Sequence, residues 1–168
     1  MYDYILIRYG EIALKGKNQK DFLNRLWRNI KEQIKTDVGV LPRLEKDQGR
    51  ILLYLDGEEP EKYYNALDHV FGISSYSPVL RTSLEMSDIL DGALKEFAQV
   101  MAGRAEATFR VTIKRPNKRF PLSSMKLATE VANHIYDHVP GLTVDLKHAQ
   151  IDLKGEVRDE CAYITTQK

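Results

Sequence analysis

The apolar residues in the first half of the chain repeat with two different periods, and the order in which these periods alternate restricts the fold. Apolar side chains at spacings of three and four are typical of an amphipathic helix, whereas short β-rich runs bounded by turn residues predict strands. The elements predicted in this way are strands at residues 2–7, 38–44, 51–55 and 75–81 and helices at 19–36 and after Pro60. The order β-α-β-β-α-β indicates a ferredoxin-like domain.

The second half of the chain continues with helix and strand patterns. Residues 107–113 alternate cleanly, with Phe109 on the apolar side and Arg110 on the polar side, which predicts a strand with one buried face. The other predicted elements are helices from about residue 87 and across 127–139, and strands at 143–146, 151–153 and 162–165. We therefore expect an α+β protein of two small domains, divided into residues 1–76 and 77–168.

Composition and charge restrict the class of protein. The 168 residues are 43% hydrophobic, with a formal net charge of +1 and one cysteine, Cys161. No apolar run approaches the roughly 20 residues needed to span a bilayer, and no secretory signal precedes the first strand. One cysteine allows no intrachain disulfide, which suits a reducing cytoplasm. We expect a cytoplasmic protein without a membrane-spanning segment.

Basic residues are concentrated in one segment, although the net charge is small. Residues 110–126 contain no acid, and their cations are Arg110, Lys114, Arg115, Lys118, Arg119 and Lys126. Such a surface could bind a polyanion by releasing its counterions, and Phe120 could stack on an unpaired base. The alternatives are that the charges are merely solvated and that Phe120 packs onto the following helix. A second cluster in the first half comprises Lys15, Lys17, Lys20, Arg25 and Arg28.

The sequence contains little that predicts catalysis. The four histidines lack the spacing of a metal site, and Cys161 lies in a strand-like run typical of a small core residue. The chain has no G-x-x-x-x-G-K-[ST] phosphate loop, no G-x-G-x-x-G and no Ser-Gly-Gly-x-Asp adenylating loop. We therefore predict no catalytic residue, no metal ligand and no cofactor for this chain.

Several motifs resemble one family, the tRNA 4-thiouridine synthetases of the ThiI type. The matching segments, in chain order, are RYGEI at 8–12, LKGKN at 14–18, VFGISSY at 70–76, TFRV at 108–111 and GLTVDL at 141–146. The resemblance implies a ferredoxin-like domain followed by a THUMP domain, whose boundary in a family profile could reach back to about residue 60. It covers nearly the whole chain.

The resemblance implies a role in tRNA modification for the parent protein. Family members adenylate a uridine of tRNA with ATP and Mg²⁺, take sulfur from a cysteine desulfurase, and often supply sulfur for the thiazole of thiamine. The ferredoxin-like and THUMP domains hold the acceptor stem and 3′ end, and a homodimer is a further expectation. This chain stops before the adenylating loop, so we expect it to recognise tRNA without modifying it.

The resemblance and the charge pattern together predict the tRNA-binding residues. They are Arg110, Lys114, Arg115, Lys118, Arg119, Phe120 and Lys126, with Lys15, Lys17 and Asn18 added mainly by the family motif. Three alternatives stay open: a THUMP module of another tRNA-modifying enzyme, a small acylphosphatase-type hydrolase that uses Asn18, and a scaffold that binds an acidic partner.

Overall fold

The computed structural model describes residues 1–10 and 18–167. Within these residues the chain divides into two compact units, the first ending at Pro78 and the second covering Val79–Gln167. No helix in the described part of the chain is long and apolar enough to cross a membrane.

The first unit has the predicted β-α-β-β-α-β order. Its elements are β1 (Tyr4–Tyr9), α1 (Gln19–Val38), β2 (Leu44–Asp47), β3 (Arg50–Tyr54), α2 (Glu61–Asp68) and the first part of β4 (Ile73–Thr82). The strand order is β2-β3-β1-β4, and β3 pairs antiparallel with both β1 and β2. This is the ferredoxin-like arrangement that the hydrophobic periods predict.

The core of the first unit lies between its helices and one face of its sheet. Ile5 and Ile7 of β1 stand opposite Leu53 and Ile51 of β3, so these four side chains share a face. The buried positions of α1, Leu26, Ile30 and Ile34, belong to the same cluster. Their spacing of four places them on one side of the helix, which explains why the amphipathic pattern predicts this helix correctly.

The strand predicted at residues 38–44 is wrong. Helix α1 continues to Val38 and ends at Gly39, whose φ of 82° lies in the left-handed region and whose N–H bonds to the carbonyl of Lys35. The observed strand β2 begins only at Leu44. The apolar residues at 38, 40 and 44 do pack against the core, but they belong to the end of a helix, the connection that follows it and the first position of β2.

The second unit alternates helices and strands along the chain. It contains the end of β4 and α3 (Met86–Met101), β5 (Ala107–Lys114), α4 (Ser124–His138), β6 (Leu142–Val144), β7 (Ile151–Val157) and β8 (Ala162–Thr165). The strand order is β4-β8-β7-β5-β6, in which β5 lies parallel to both β6 and β7. The antiparallel strand β8 joins β7 to β4.

Two phenylalanines lie at the centre of the second core. Phe97 of α3 and Phe109 of β5 are both fully buried, with ring centroids 5.5 Å apart in an edge-to-face arrangement. Helix α4 adds its buried residues Leu127, Val131 and Ile135. The strand predicted at residues 107–113 is therefore confirmed, and on its predicted apolar side Ala107 and Phe109 are buried while Val111 and Ile113 are half-buried.

A tyrosine of the first sheet provides a titration prediction. The phenol of Tyr54 donates a hydrogen bond to Glu45, which with burial raises the pKa of Tyr54 from 10.0 to about 12. The folded chain favours the protonated phenol of Tyr54. The hydrogen-bonded phenol therefore stabilises the folded chain fully below pH 10.0, and this stabilisation is lost as the pH rises through about 12. We expect Glu45→Gln to lower the pKa of Tyr54, measured from phenolate absorbance against pH.

The matched control for that titration is Tyr54→Phe, which identifies the signal of Tyr54 among the other tyrosines. Tyr64 and Tyr76 also have pKa values raised to about 12, mainly by burial, and they should keep them in both variants. An unchanged high-pH titration in the Glu45→Gln variant would contradict the assigned hydrogen bond.

Candidate nucleic-acid interface

Strand β5 carries the first two predicted cations on its polar face. Arg110 forms an ion pair with Asp152, with Nη2 and Oδ2 3.3 Å apart, and its Nη1 donates to the carbonyl of Leu146 over 3.0 Å. Asp152 also accepts a hydrogen bond from Thr112. Arg110 is thus held within the unit and its charge is compensated, whereas Lys114, at the end of the strand, is exposed.

The connection between β6 and β7 is fixed beside Arg110. One carboxylate oxygen of Asp145 accepts hydrogen bonds from the backbone N–H groups of Lys147 and His148, over 3.1 and 3.0 Å. These bonds lower the pKa of Asp145, since they favour the ionised carboxylate. The turn leaves Lys147 exposed, a cation next to this surface that lies outside the predicted basic segment.

The segment 115–123, between β5 and α4, is anchored by Asn117. This side chain is buried, its Nδ2 donates to the carbonyl of Arg158 over 2.9 Å, and its Oδ1 accepts from the backbone N–H of Arg119 over 2.9 Å. The backbone N–H of Asn117 donates to the carbonyl of Val157 over 3.1 Å. All three bonds fix the segment in place, and two of them attach it to the end of β7.

Arg115 supports the same segment from within. Its Nη1 donates to the carbonyls of Asn117 and Phe120, over 3.1 and 3.3 Å. The guanidinium is partly buried, and its Nε is enclosed without a hydrogen-bond partner among the described residues. Arg115, predicted from its charge as a tRNA contact, thus uses Nη1 to bind two backbone carbonyls of its own segment in this structure.

Phe120, which is predicted to stack on an unpaired base, has its ring inside the protein in this structure. The side chain is only 7% exposed and belongs to the buried hydrophobic residues of the chain. Burial of an aromatic ring is strongly favourable, so the ring stays in the protein rather than presenting a face to solvent. The buried ring agrees with the alternative left open by the sequence, that Phe120 packs onto the following helix.

Three exposed cations remain around this segment. Lys118 and Arg119 follow Asn117 directly, and Lys126 lies in the first turn of α4. Neither Lys114 nor any of these three cations forms an ion pair with another residue that the structure describes. Ser123 caps α4 by accepting from the backbone N–H of Lys126 over 3.2 Å.

The cluster predicted in the first unit is described only in part. Lys15 and Lys17 lie outside the described residues. Asn18 is exposed at the N-cap position of α1, where its carbonyl accepts from the N–H of Phe22 over 2.9 Å and its side chain makes no capping bond. Arg25 and Arg28 are exposed further along the helix.

The described residues contain no arrangement typical of a metal centre. Across 1–10 and 18–167, no group of three or more His, Cys, Asp or Glu side chains could hold an ion. Cys161, the single cysteine, is buried. The candidate site in the second unit therefore consists of exposed cations on and beside the anchored segment 115–123. Such cations suit the binding of phosphates.

Comparison with family models gives two matches in chain order. The model described as the ThiI ferredoxin-like domain matches residues 4–77, and the THUMP domain model matches residues 84–167. The second match covers the strand, loop and helix that carry the exposed cations.

Comparison with curated proteins gives relatives that are longer than this chain. The chain is 39% identical over 165 residues to a probable tRNA sulfurtransferase of Oceanobacillus iheyensis and 37% identical over 166 residues to one of Bacillus subtilis. Each alignment covers 98% of this chain and 40% of the relative. The chain thus spans about 40% of the length of these curated relatives.

Solved structures share the fold. The protein PH1313 of Pyrococcus horikoshii is 28% identical with a TM-score of 0.84, and the similarity covers 99% of this chain and 54% of that one. A 4-thiouridine synthetase solved as an RNA complex with bound ATP is 27% identical with a TM-score of 0.83, over 98% of this chain and 41% of that one.

Proposed function

Since this chain belongs to the THUMP family and carries the ThiI ferredoxin-like domain in front of it, we propose that it is the tRNA-binding region of a 4-thiouridine synthetase. The observation that carries the proposal is the set of exposed cations beside an ordered loop, Lys114, Lys118, Arg119 and Lys126. The ThiI domain match favours this assignment over a THUMP module of a different modifying enzyme.

The proposed ligand is the acceptor stem and 3′ end of tRNA. An A-form stem has a narrow major groove, so proteins recognise it mainly through phosphates and 2′-hydroxyl groups. Lysine and arginine side chains on a fixed loop suit that kind of contact. The similar 4-thiouridine synthetase, solved in complex with RNA, supports this choice.

The chemistry of thiolation is assigned to parts of the relatives that this chain does not match. There, ATP with Mg²⁺ would adenylate the uridine, and a cysteine desulfurase would supply sulfur. A link to thiamine synthesis, a homodimer and a cytoplasmic location belong to the same proposal. Within it, this chain contributes affinity and orientation, and Lys15, Lys17 and Asn18 are proposed as secondary RNA contacts.

Charge reversal tests the proposed surface. We expect the double variant Lys118→Glu, Arg119→Glu to bind tRNA at least about 30-fold more weakly, since it loses two ion contacts of about 1 kcal/mol each and its carboxylates repel the phosphates. The slope of log K against log salt should become shallower by about 1.4–1.8 if each residue neutralises one phosphate. The measurement is the tRNA dissociation constant at several salt concentrations.

A variant with the same change in net charge controls for long-range electrostatics. Lys62→Glu with Lys95→Glu reverses two exposed lysines of α2 and α3, outside the loop. Equal weakening by both double variants would mean that overall charge, rather than this loop, determines binding, and would contradict the proposal.

A further inference from the structure

Asn117 stands out as a buried polar residue directly before two exposed cations. It is 5% exposed, whereas Lys118 and Arg119 are exposed. A buried amide needs partners for both its donor and its acceptor, and Asn117 has them in the Arg158 carbonyl and the Arg119 N–H. Its hydrogen-bonding groups are thus used inside the protein, and the side chain has no surface to offer a ligand.

The two bonds of the amide connect different parts of the unit. Arg158 is 41 residues further along the chain, so the bond to its carbonyl attaches the loop to the segment after β7. The bond from the N–H of Arg119 is local and sets the course of the backbone at a cationic residue. The Asn117 side chain therefore fixes the loop relative to the end of β7.

Further contacts hold the loop on both sides of the cations. The Phe120 ring is buried, and Arg115 donates to the carbonyls of Asn117 and Phe120. Lys118 and Arg119 thus lie between two anchored residues. Fixing backbone conformation before binding removes an entropic cost that a mobile loop would otherwise incur on binding.

We propose that Asn117 is a positioning residue for RNA binding, which holds Lys118 and Arg119 in their binding arrangement without touching RNA. This inference rests on the proposed function, because it takes these two cations as phosphate contacts. It also gives Arg115 a supporting role in place of the direct contact predicted from its charge.

The amide is chemically specific at this position. Aspartate has the acceptor for the Arg119 N–H but no donor for the Arg158 carbonyl, and it would bring a negative charge to that oxygen. Alanine removes both bonds and leaves the Arg158 carbonyl and the Arg119 N–H without this partner. The two substitutions therefore release the loop in different ways, since Asn117→Asp keeps the bond from the Arg119 N–H and Asn117→Ala keeps neither.

The test is a cycle of variants measured by tRNA binding at several salt concentrations. We expect Asn117→Ala to weaken binding about 10-fold and to reduce the salt slope, since mobile cations neutralise fewer phosphates. In a background of Lys118→Ala and Arg119→Ala, the same substitution should have almost no further effect. Such non-additivity identifies residues that act through one another.

Tryptic cleavage after Lys118 and Arg119 gives a second readout that does not depend on RNA. Cleavage there should become faster in Asn117→Ala, while the far-UV circular dichroism of the chain stays unchanged. If Asn117→Ala fails to fold, Asn117→Asp and Arg115→Lys take its place and should show effects in the same direction.

The outcomes separate the two proposals. If Lys118→Glu with Arg119→Glu leaves tRNA binding unchanged, the proposed surface is wrong and this inference falls with it. If that variant weakens binding but Asn117→Ala does not, only the inference is overturned. It is also overturned if Asn117→Ala weakens binding equally when both cations are absent.

Discussion

Phe109→Ala is expected to lower the free energy of unfolding of the second unit by about 3–5 kcal/mol, the usual cost of truncating a fully buried phenylalanine. The ring lies on the apolar face of β5 and meets Phe97 edge to face at 5.5 Å. Its loss removes both the buried apolar area and this aromatic pair. Urea unfolding followed by circular dichroism measures the change.

Phe71→Ala is the matched control, because it removes the same side chain from a position that is 95% exposed. We expect a change within about 0.5 kcal/mol there. A Phe109→Ala variant that unfolds at the wild-type urea concentration would show that the core of the second unit is not organised around this ring.

Glu96→Ala is expected to destabilise the second unit by about 3 kcal/mol, since it removes three hydrogen bonds that contribute about 1 kcal/mol each. Glu96 is completely buried on α3, and its Oε2 accepts from the N–H and the hydroxyl of Thr166 over 2.7 and 3.1 Å. Its Oε1 accepts from Gln99 over 3.1 Å. The carboxylate thus connects α3 to the residue that follows β8.

Hydrogen exchange at the Thr166 amide provides a local measurement for this prediction. Exchange should be faster in Glu96→Ala and intermediate in Glu96→Gln, which retains one oxygen as an acceptor. Unchanged exchange in the alanine variant would mean that the Thr166 N–H is protected by something other than Glu96.

Periodic segments of the chain could be predicted from the sequence, because their burial repeats along one element. Helix α1 and strand β5 each present an apolar face at the expected spacing, and both are found. The strand predicted at 38–44 was wrong for the same reason: apolar residues at the end of a helix resemble the alternation of a strand. Gly39 was the signal for the helix end.

The basic charge of the loop after β5 could be predicted from the sequence, but the hydrogen bonds that hold the loop could not. Arg115 and Lys118 look equivalent in sequence, yet the first is used within the protein and the second is exposed. The role of Asn117 depends on a carbonyl 41 residues away, which no local pattern encodes. The only local sign was that asparagine after proline favours a turn.

The outermost strands of the two units, β2 and β6, have a consequence for self-association. They are four and three residues long, and β2 carries exposed Glu45 and Lys46. An unpaired strand edge is a template for aggregation when it is long, flat and apolar. Here an incoming chain finds few backbone groups to pair with and, at β2, charges of both signs, so these two edges are poor templates for β-aggregation.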